Sequence, residues 1–102
     1  MSLKPQLRTI RVGSTGVYVW GRITESTGED VSALTPQLRT VSPAGVVSTW
    51  AVPVLTEHPS VNVIRCAIQH TAAEVGWWRL EAKVTDNPEV EVLLLGGFEV
   101  IP

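Results

Sequence analysis

The sequence predicts an all-β protein, an antiparallel β-sandwich of about seven strands in a single domain. Short runs in which apolar and polar residues alternate recur along the chain, and Gly-, Pro-, Asn- and Asp-containing turns separate them. No long stretch has the apolar spacing of an amphipathic helix. A small closed barrel is the alternative architecture.

The clearest strand is the stretch 77–84, which reads Trp-Trp-Arg-Leu-Glu-Ala-Lys-Val. Because successive side chains of a strand point to opposite faces, this pattern predicts one apolar face and one wet face. The apolar face comprises Trp78, Leu80, Ala82 and Val84, and the other face comprises Trp77, Arg79, Glu81 and Lys83. We therefore expect Trp78 in the core and Trp77 outside it.

The first part of the chain predicts an arm over residues 1–6 and a domain over residues 7–102. A short first strand ends at the turn 13–16, and a second strand covers 17–23. In the second strand Val17, Val19 and Ile23 form the better core face, because that face carries no charge. This assignment leaves Tyr18 and Trp20 outward.

The middle of the chain predicts a hairpin. A strand over 37–41 follows Pro36, the turn 42–45 contains Pro and Gly, and a second strand is predicted over 46–52. The prolines and polar residues of the stretch 53–60 are expected to interrupt the strand pattern.

The second half predicts three further strands. The strand 61–69 buries Ile64, Cys66 and Ile68, and the connection 70–76 has room for one helical turn at 71–74. The strands 77–85 and 89–101 are joined by the turn 86–88, so they are expected to pair. Gly96 and Gly97 predict a bulge or a close backbone approach. In the last strand one alternation runs through Val90, Val92, Leu94, Phe98 and Val100, which leaves Leu93 and Leu95 outward.

Composition limits the classes of function. Of the 102 residues, 44% are hydrophobic and only 18% are charged, and the net charge of −2 gives no basic surface for nucleic acid. The first residues lack the apolar core of a signal peptide, and no apolar run is long enough for a membrane helix. We therefore expect a soluble protein that is made in the cytoplasm and binds neither nucleic acid nor membrane.

Candidate catalytic and metal-binding groups are few. The chain has a single cysteine, Cys66, and two histidines, His58 and His70. In a strand, Cys66 and His70 would stand about 13 Å apart, which is too far for a shared metal ion or a nucleophile–base pair. The loop pairs Glu29-Asp30 and Asp86-Asn87, whose side-chain oxygens could bind calcium, are expected to be solvated turn residues. The sequence therefore predicts no catalytic, metal or cofactor site, and no enzyme.

The four tryptophans are the unusual feature of the composition. Outward Trp77 beside Arg79, and outward Trp20 beside Tyr18, are of the residue types that protein interfaces favour. Leu93 and Leu95 add apolar area that a loop or a partner must cover. Exposed tryptophans also serve as platforms for sugar stacking, and the role of Trp50 is left open.

Three segments carry a resemblance to a known family. They are the stretch from Gly28 to Leu34 leading to the turn 42–45, the stretch from Thr71 through Gly76 to Leu80, and the closing strand Val92-Leu-Leu-Leu-Gly96-Gly97-Phe98-Glu99-Val100. Over roughly residues 28–101 the chain resembles small immunoglobulin-like modules of tailed-phage virion proteins, including the N-terminal domains of upper-baseplate proteins.

The resemblance implies a non-enzymatic structural role in a tail, baseplate, neck or capsid shell of a virion. Other virion subunits, and further copies of the chain in a homo-oligomer, are the expected partners. The expected interface comprises Trp77, Arg79, Leu93, Leu95, Tyr18 and Trp20. The alternative hypothesis is a carbohydrate-binding or adhesion module that uses the exposed tryptophans.

Overall fold

The computed structural model describes residues 8–86 and 88–102, and within them it is all-β. The arm predicted over residues 1–6 and Asn87 of the predicted turn lie outside the described residues. Seven strands and no helix occur in the described part, which confirms the predicted class. The strands are β1 Arg8–Arg11, β2 Val17–Thr24, β3 Gln37–Val41, β4 Leu55–Ser60, β5 Val63–His70, β6 Gly76–Asp86 and β7 Glu89–Ile101.

The strands form two sheets. The four-stranded sheet has the order β1-β7-β6-β3, and the three-stranded sheet has the order β2-β5-β4. Every pair is antiparallel except β1 and β7, which run parallel. The two sheets face each other in a sandwich-like arrangement, and their inner faces supply one core.

The core confirms the predicted inner faces of β2, β5 and β6. Trp78 is only 9% exposed, and its indole N–H donates a hydrogen bond of 2.9 Å to the carbonyl oxygen of Glu74. Buried beside it in one cluster are Val19, Ile23, Ile64, Cys66, Ile68, Leu80, Ala82, Phe98 and Val100. Because the inner faces bury both the aromatic and the aliphatic side chains, the two sheets are held together without a disulfide.

A β-bulge divides β7 into two parts, as the paired glycines predicted. Leu80 of β6 pairs with Gly96, but the next residue, Glu81, pairs with Leu94, so Leu95 is the extra residue of β7. Gly96 adopts a φ of 153°, which a side chain would disfavour. The side-chain alternation therefore shifts by one residue between the two parts of β7.

Three local predictions are wrong. Residues 46–52 do not form a regular strand, although the bridges Leu38–Ala51 and Val41–Val47 keep them alongside β3 as the predicted hairpin requires. Residues 71–74 form no helical turn. The stretch 55–60, which was expected to interrupt the pattern, is strand β4. It tolerates Pro59 because it is an edge strand whose register shifts between Glu57 and Ser60.

Candidate functional site

The outer face of the four-stranded sheet, the surface that points away from the core, carries the predicted residues Trp77 and Arg79. Both are exposed, and 53% of Trp77 is accessible to solvent. Across the ladder Trp77 stands opposite Glu99, and Arg79 stands opposite Gly97, which offers no side chain to cover it. The outward placement of Trp77 and Arg79 is confirmed, and their role in an interface stays a prediction.

The outward placement of Leu93 and Leu95 is wrong. Both leucines are partly buried and pack against the core cluster. Leu95 reaches across the sandwich to β2, where its side chain occupies the space that a Cβ on Gly21 would need. The reason is the bulge, since a shift of one residue sends a strand's side chains to the opposite face.

The same shift exposes three aliphatic side chains that sequence reasoning assigned to the other alternation. Val90, Val92 and Leu94 are 58%, 54% and 65% exposed, and we call them the aliphatic stripe. They stand opposite Thr85, Lys83 and Glu81 of β6, which places them on the outer face with Trp77. The glycine pair was the signal in the sequence that could have located the stripe.

Charged side chains of β3 and β6 lie on the outer face between Trp77 and most of the aliphatic stripe. Arg39 of β3 forms an ion pair of 2.8 Å with Glu81 of β6. The Arg39 guanidinium also lies 4.2 Å from the centroid of the Trp50 ring, and the Lys83 ammonium lies 5.3 Å from it. The role left open for Trp50 is therefore structural, because its ring packs under two cations and helps to cover the edge strand β3.

Tyr18 and Trp20 lie on the outer face of the three-stranded sheet, where the sequence placed them. Tyr18 is 39% exposed, but Trp20 is half-buried. The Arg65 guanidinium lies 3.9 Å from the centroid of the Trp20 ring and donates a hydrogen bond of 2.8 Å to Glu57. Trp20 thus points outward but is covered by Arg65. Less of its ring is exposed to solvent than its outward position in β2 predicts.

Cys66 and His70, two of the titratable groups considered for catalysis or metal binding, are both buried. Cys66 is fully buried, and burial raises the pKa of its thiol to about 11. His70 is buried with its ring edge against Trp78, 4.5 Å between centroids, and its Nε2 has no hydrogen-bond partner. Burial also lowers the pKa of His70 from its ordinary value.

Within 8–86 and 88–102, no three His, Cys, Asp or Glu side chains come close enough to hold a metal ion. The same residues contain no helix that is long and apolar enough to span a membrane.

No protein-family model matches the chain, and no curated protein is significantly similar to it. The outer face and the strand order are the features of the molecule that bear on its function.

Proposed function

We propose that the protein is a non-enzymatic structural module of a bacteriophage virion, an immunoglobulin-like sandwich that packs against other protein subunits. The outer face of the four-stranded sheet is the proposed interface. The observation that carries the proposal is the exposure of Trp77 and of the whole aliphatic stripe on this one face.

The strand order supports the immunoglobulin-like part of the proposal. Immunoglobulin domains place their second, fourth and fifth strands in one sheet and their third, sixth and seventh strands in the other. Here β2, β4 and β5 share one sheet, and β3, β6 and β7 share the other. The first strand differs from the constant-type arrangement, because β1 joins β7 and not β2.

The chemistry of the outer face supports a protein partner. Trp77 and the aliphatic stripe give this face two apolar areas with charged side chains between them. Aromatic residues and arginine, here Trp77 and Arg79, are enriched in protein interfaces. Burial of apolar area stabilises a complex by about 25 cal/mol per Å², so the apolar side chains together are worth several kcal/mol before the cost of association. Left in water, they would promote aggregation.

The surroundings of the tryptophans favour this proposal over a carbohydrate-binding module. A sugar platform needs open ring faces, but Arg65 covers Trp20, and Arg39 and Lys83 lie against Trp50. Trp78 is in the core, which leaves Trp77 as the single tryptophan that is more than half exposed. Titration with glycans while tryptophan emission is recorded would distinguish the two, since stacking on Trp77 would shift the emission.

The test is incorporation into particles. We expect the chain in particles purified from the source culture on a density gradient, at a fixed ratio to the major subunit. Replacing outer-face residues in the double variant Trp77→Ser/Leu94→Thr should greatly reduce incorporation, while circular dichroism shows an unchanged fold. Tyr18→Ser, on the other sheet, is the matched control.

Two results would contradict this proposal. The first is absence of the chain from the particles. The second is the reverse order of effects, in which Tyr18→Ser abolishes incorporation and the double variant is incorporated normally, because it would move the interface to the three-stranded sheet.

A further inference from the structure

The first part of β7 is an open sheet edge. β1 pairs with β7 only from Phe98 to Ile101, whereas β6 pairs with β7 along its whole length. On the side away from β6, the backbone of residues 89–95 therefore has no strand partner in the part of the chain that the structure describes. Unpaired edges of this kind are templates for a further strand.

This edge lacks the proline and the covering segment that two other edges of the molecule have. β4 carries Pro59 and a register shift, and residues 46–51 run alongside β3. The stretch 89–95 has no proline and no lysine, and on the outer face it presents only the aliphatic stripe. The charged side chains of the stretch, Glu89 and Glu91, lie on the other face of the strand, so the outer-face side of this edge carries no charge. An edge with a continuous apolar side is a template for a further strand.

We propose that residues 90–94 pair antiparallel with the same residues of a second copy of the chain, with Val92 opposite Val92 of the second copy. The two four-stranded sheets then continue into one sheet around a twofold axis. This inference rests on the proposed function, since the joined sheets present one continuous outer face to the other subunits.

The side chains of the segment complement one another in this register. Val90 stands opposite Leu94 of the second copy, so the two stripes merge into one apolar surface. Glu91 stands opposite Leu93 of the second copy, so no carboxylate faces a carboxylate.

The alternative registers are less favourable. Parallel pairing sets each glutamate beside its equivalent, and centring on Glu91 sets the two Glu91 carboxylates opposite each other. Centring on Leu93 brings the pairing up to the bulge at Leu95, where the backbone leaves the regular strand geometry.

Introduced thiols test the register directly. Under mild oxidation, Val92→Cys should convert to a disulfide-linked dimer of doubled mass. Val90→Cys and Leu94→Cys should each stay uncross-linked alone but cross-link when mixed, because cross-strand neighbours lie within disulfide reach. The parent chain is the control, since its Cys66 is buried. Failure of Val92→Cys to cross-link, or cross-linking of Leu94→Cys alone, would overturn the register.

Mass in solution tests the pairing itself. In sedimentation at increasing concentration, the mass of the parent should double, and that of Val92→Lys should stay at one chain. Thr85→Lys, on the same face but on the paired strand β6, is the matched control and should still dimerise. A parent that stays monomeric at millimolar concentration would overturn the proposal.

A rival occupant of the edge is the chain's own N-terminus. Residues 1–7 directly precede β1, the parallel neighbour of β7, in the sequence. A disulfide within single chains of the variant Ser2→Cys/Val92→Cys would therefore overturn pairing with a second copy.

The outcomes also separate this proposal from the proposed function. A parent that is monomeric but incorporated into particles contradicts the pairing alone, whereas a parent that dimerises but is missing from particles contradicts the virion role alone.

Discussion

At the scale of single residues, the neighbours Trp77 and Trp78 show how one position along a strand decides the environment. Trp78 lies nearly parallel to Phe98, with 6.1 Å between ring centroids, and its N–H is paired. Trp77 projects from the opposite face, and about half of its surface is exposed to solvent. Alanine substitution at each of the two positions therefore tests which face of β6 the side chain occupies.

We expect Trp78→Ala to lower the free energy of unfolding by about 3–5 kcal/mol, because it leaves a large cavity in the core. Trp77→Ala should cost less than about 1 kcal/mol in the isolated chain, as surface substitutions do. Urea denaturation of dilute samples measures both. Equal losses would contradict the orientation of β6.

The buried His70 predicts a pH dependence of stability. Burial against Trp78 and Phe98 lowers its pKa in the folded chain, so between the folded and unfolded pKa values the unfolded chain binds more protons. The stability should therefore be full above the unfolded pKa of about 6.5 and should fall as the pH decreases below it, by at most about 1.4 kcal/mol per pH unit.

Denaturant melts between pH 7.5 and 5 measure this effect. The variant His70→Phe keeps an aromatic ring between Trp78 and Phe98 and should remove the slope in this range. The carboxyl pKa values of Glu25 and Asp30 are lowered by hydrogen bonds from Thr27 and Ser32, so their contributions are lost at lower pH. A slope that persists in the variant would exclude His70 as its source.

At the scale of elements, the bulge in β7 is the feature that decides which leucines are available to partners. It turns Leu93 and Leu95 towards the core and Leu94 towards solvent. Without it, a single alternation would have buried the aliphatic stripe. The bulge therefore determines which side chains of β7 lie on the outer face.

Replacing one outward leucine and one inward leucine of β7 by lysine tests whether the bulge is present. Leu94→Lys should change the free energy of unfolding by no more than about 0.5 kcal/mol, since the position is exposed. Leu93→Lys should cost about 2 kcal/mol or more, because it places a charge among apolar side chains. Thermal or urea unfolding of dilute samples checks the pair, and the opposite ranking would show that β7 has no bulge at Leu95.

The sequence predicted strands correctly where one face is buried and the other is exposed. It did not predict the strand or its side-chain orientation where this contrast is missing. β6 and β2 alternate cleanly, and their inner residues were predicted correctly. β4 is exposed on both faces, so it has no apolar period to detect. In β7 the apolar residues continue through both alternations, and only the glycine pair indicated where the faces exchange.

At the scale of the whole molecule, the sequence predicted part of the candidate site. It placed Trp77 and Arg79 outward from the alternation of β6, and the structure confirms this. It could not show that Arg65 covers Trp20 or that Arg39 and Lys83 lie against Trp50, because these contacts depend on which strands become neighbours. The outer face of the four-stranded sheet keeps Trp77 and the aliphatic stripe exposed.

If other protein subunits cover the outer face of the four-stranded sheet, that cover is detected by thiol labelling inside the particle. In the free chain at low concentration, Leu94→Cys and Trp77→Cys should label rapidly, while the buried Cys66 of the parent should not. Gln69→Cys, exposed on the other sheet, is the comparison position. In purified particles, we expect labelling at positions 94 and 77 to fall to the level of the parent and to recover on denaturation. Labelling at both positions as fast in particles as in the free chain would contradict the account.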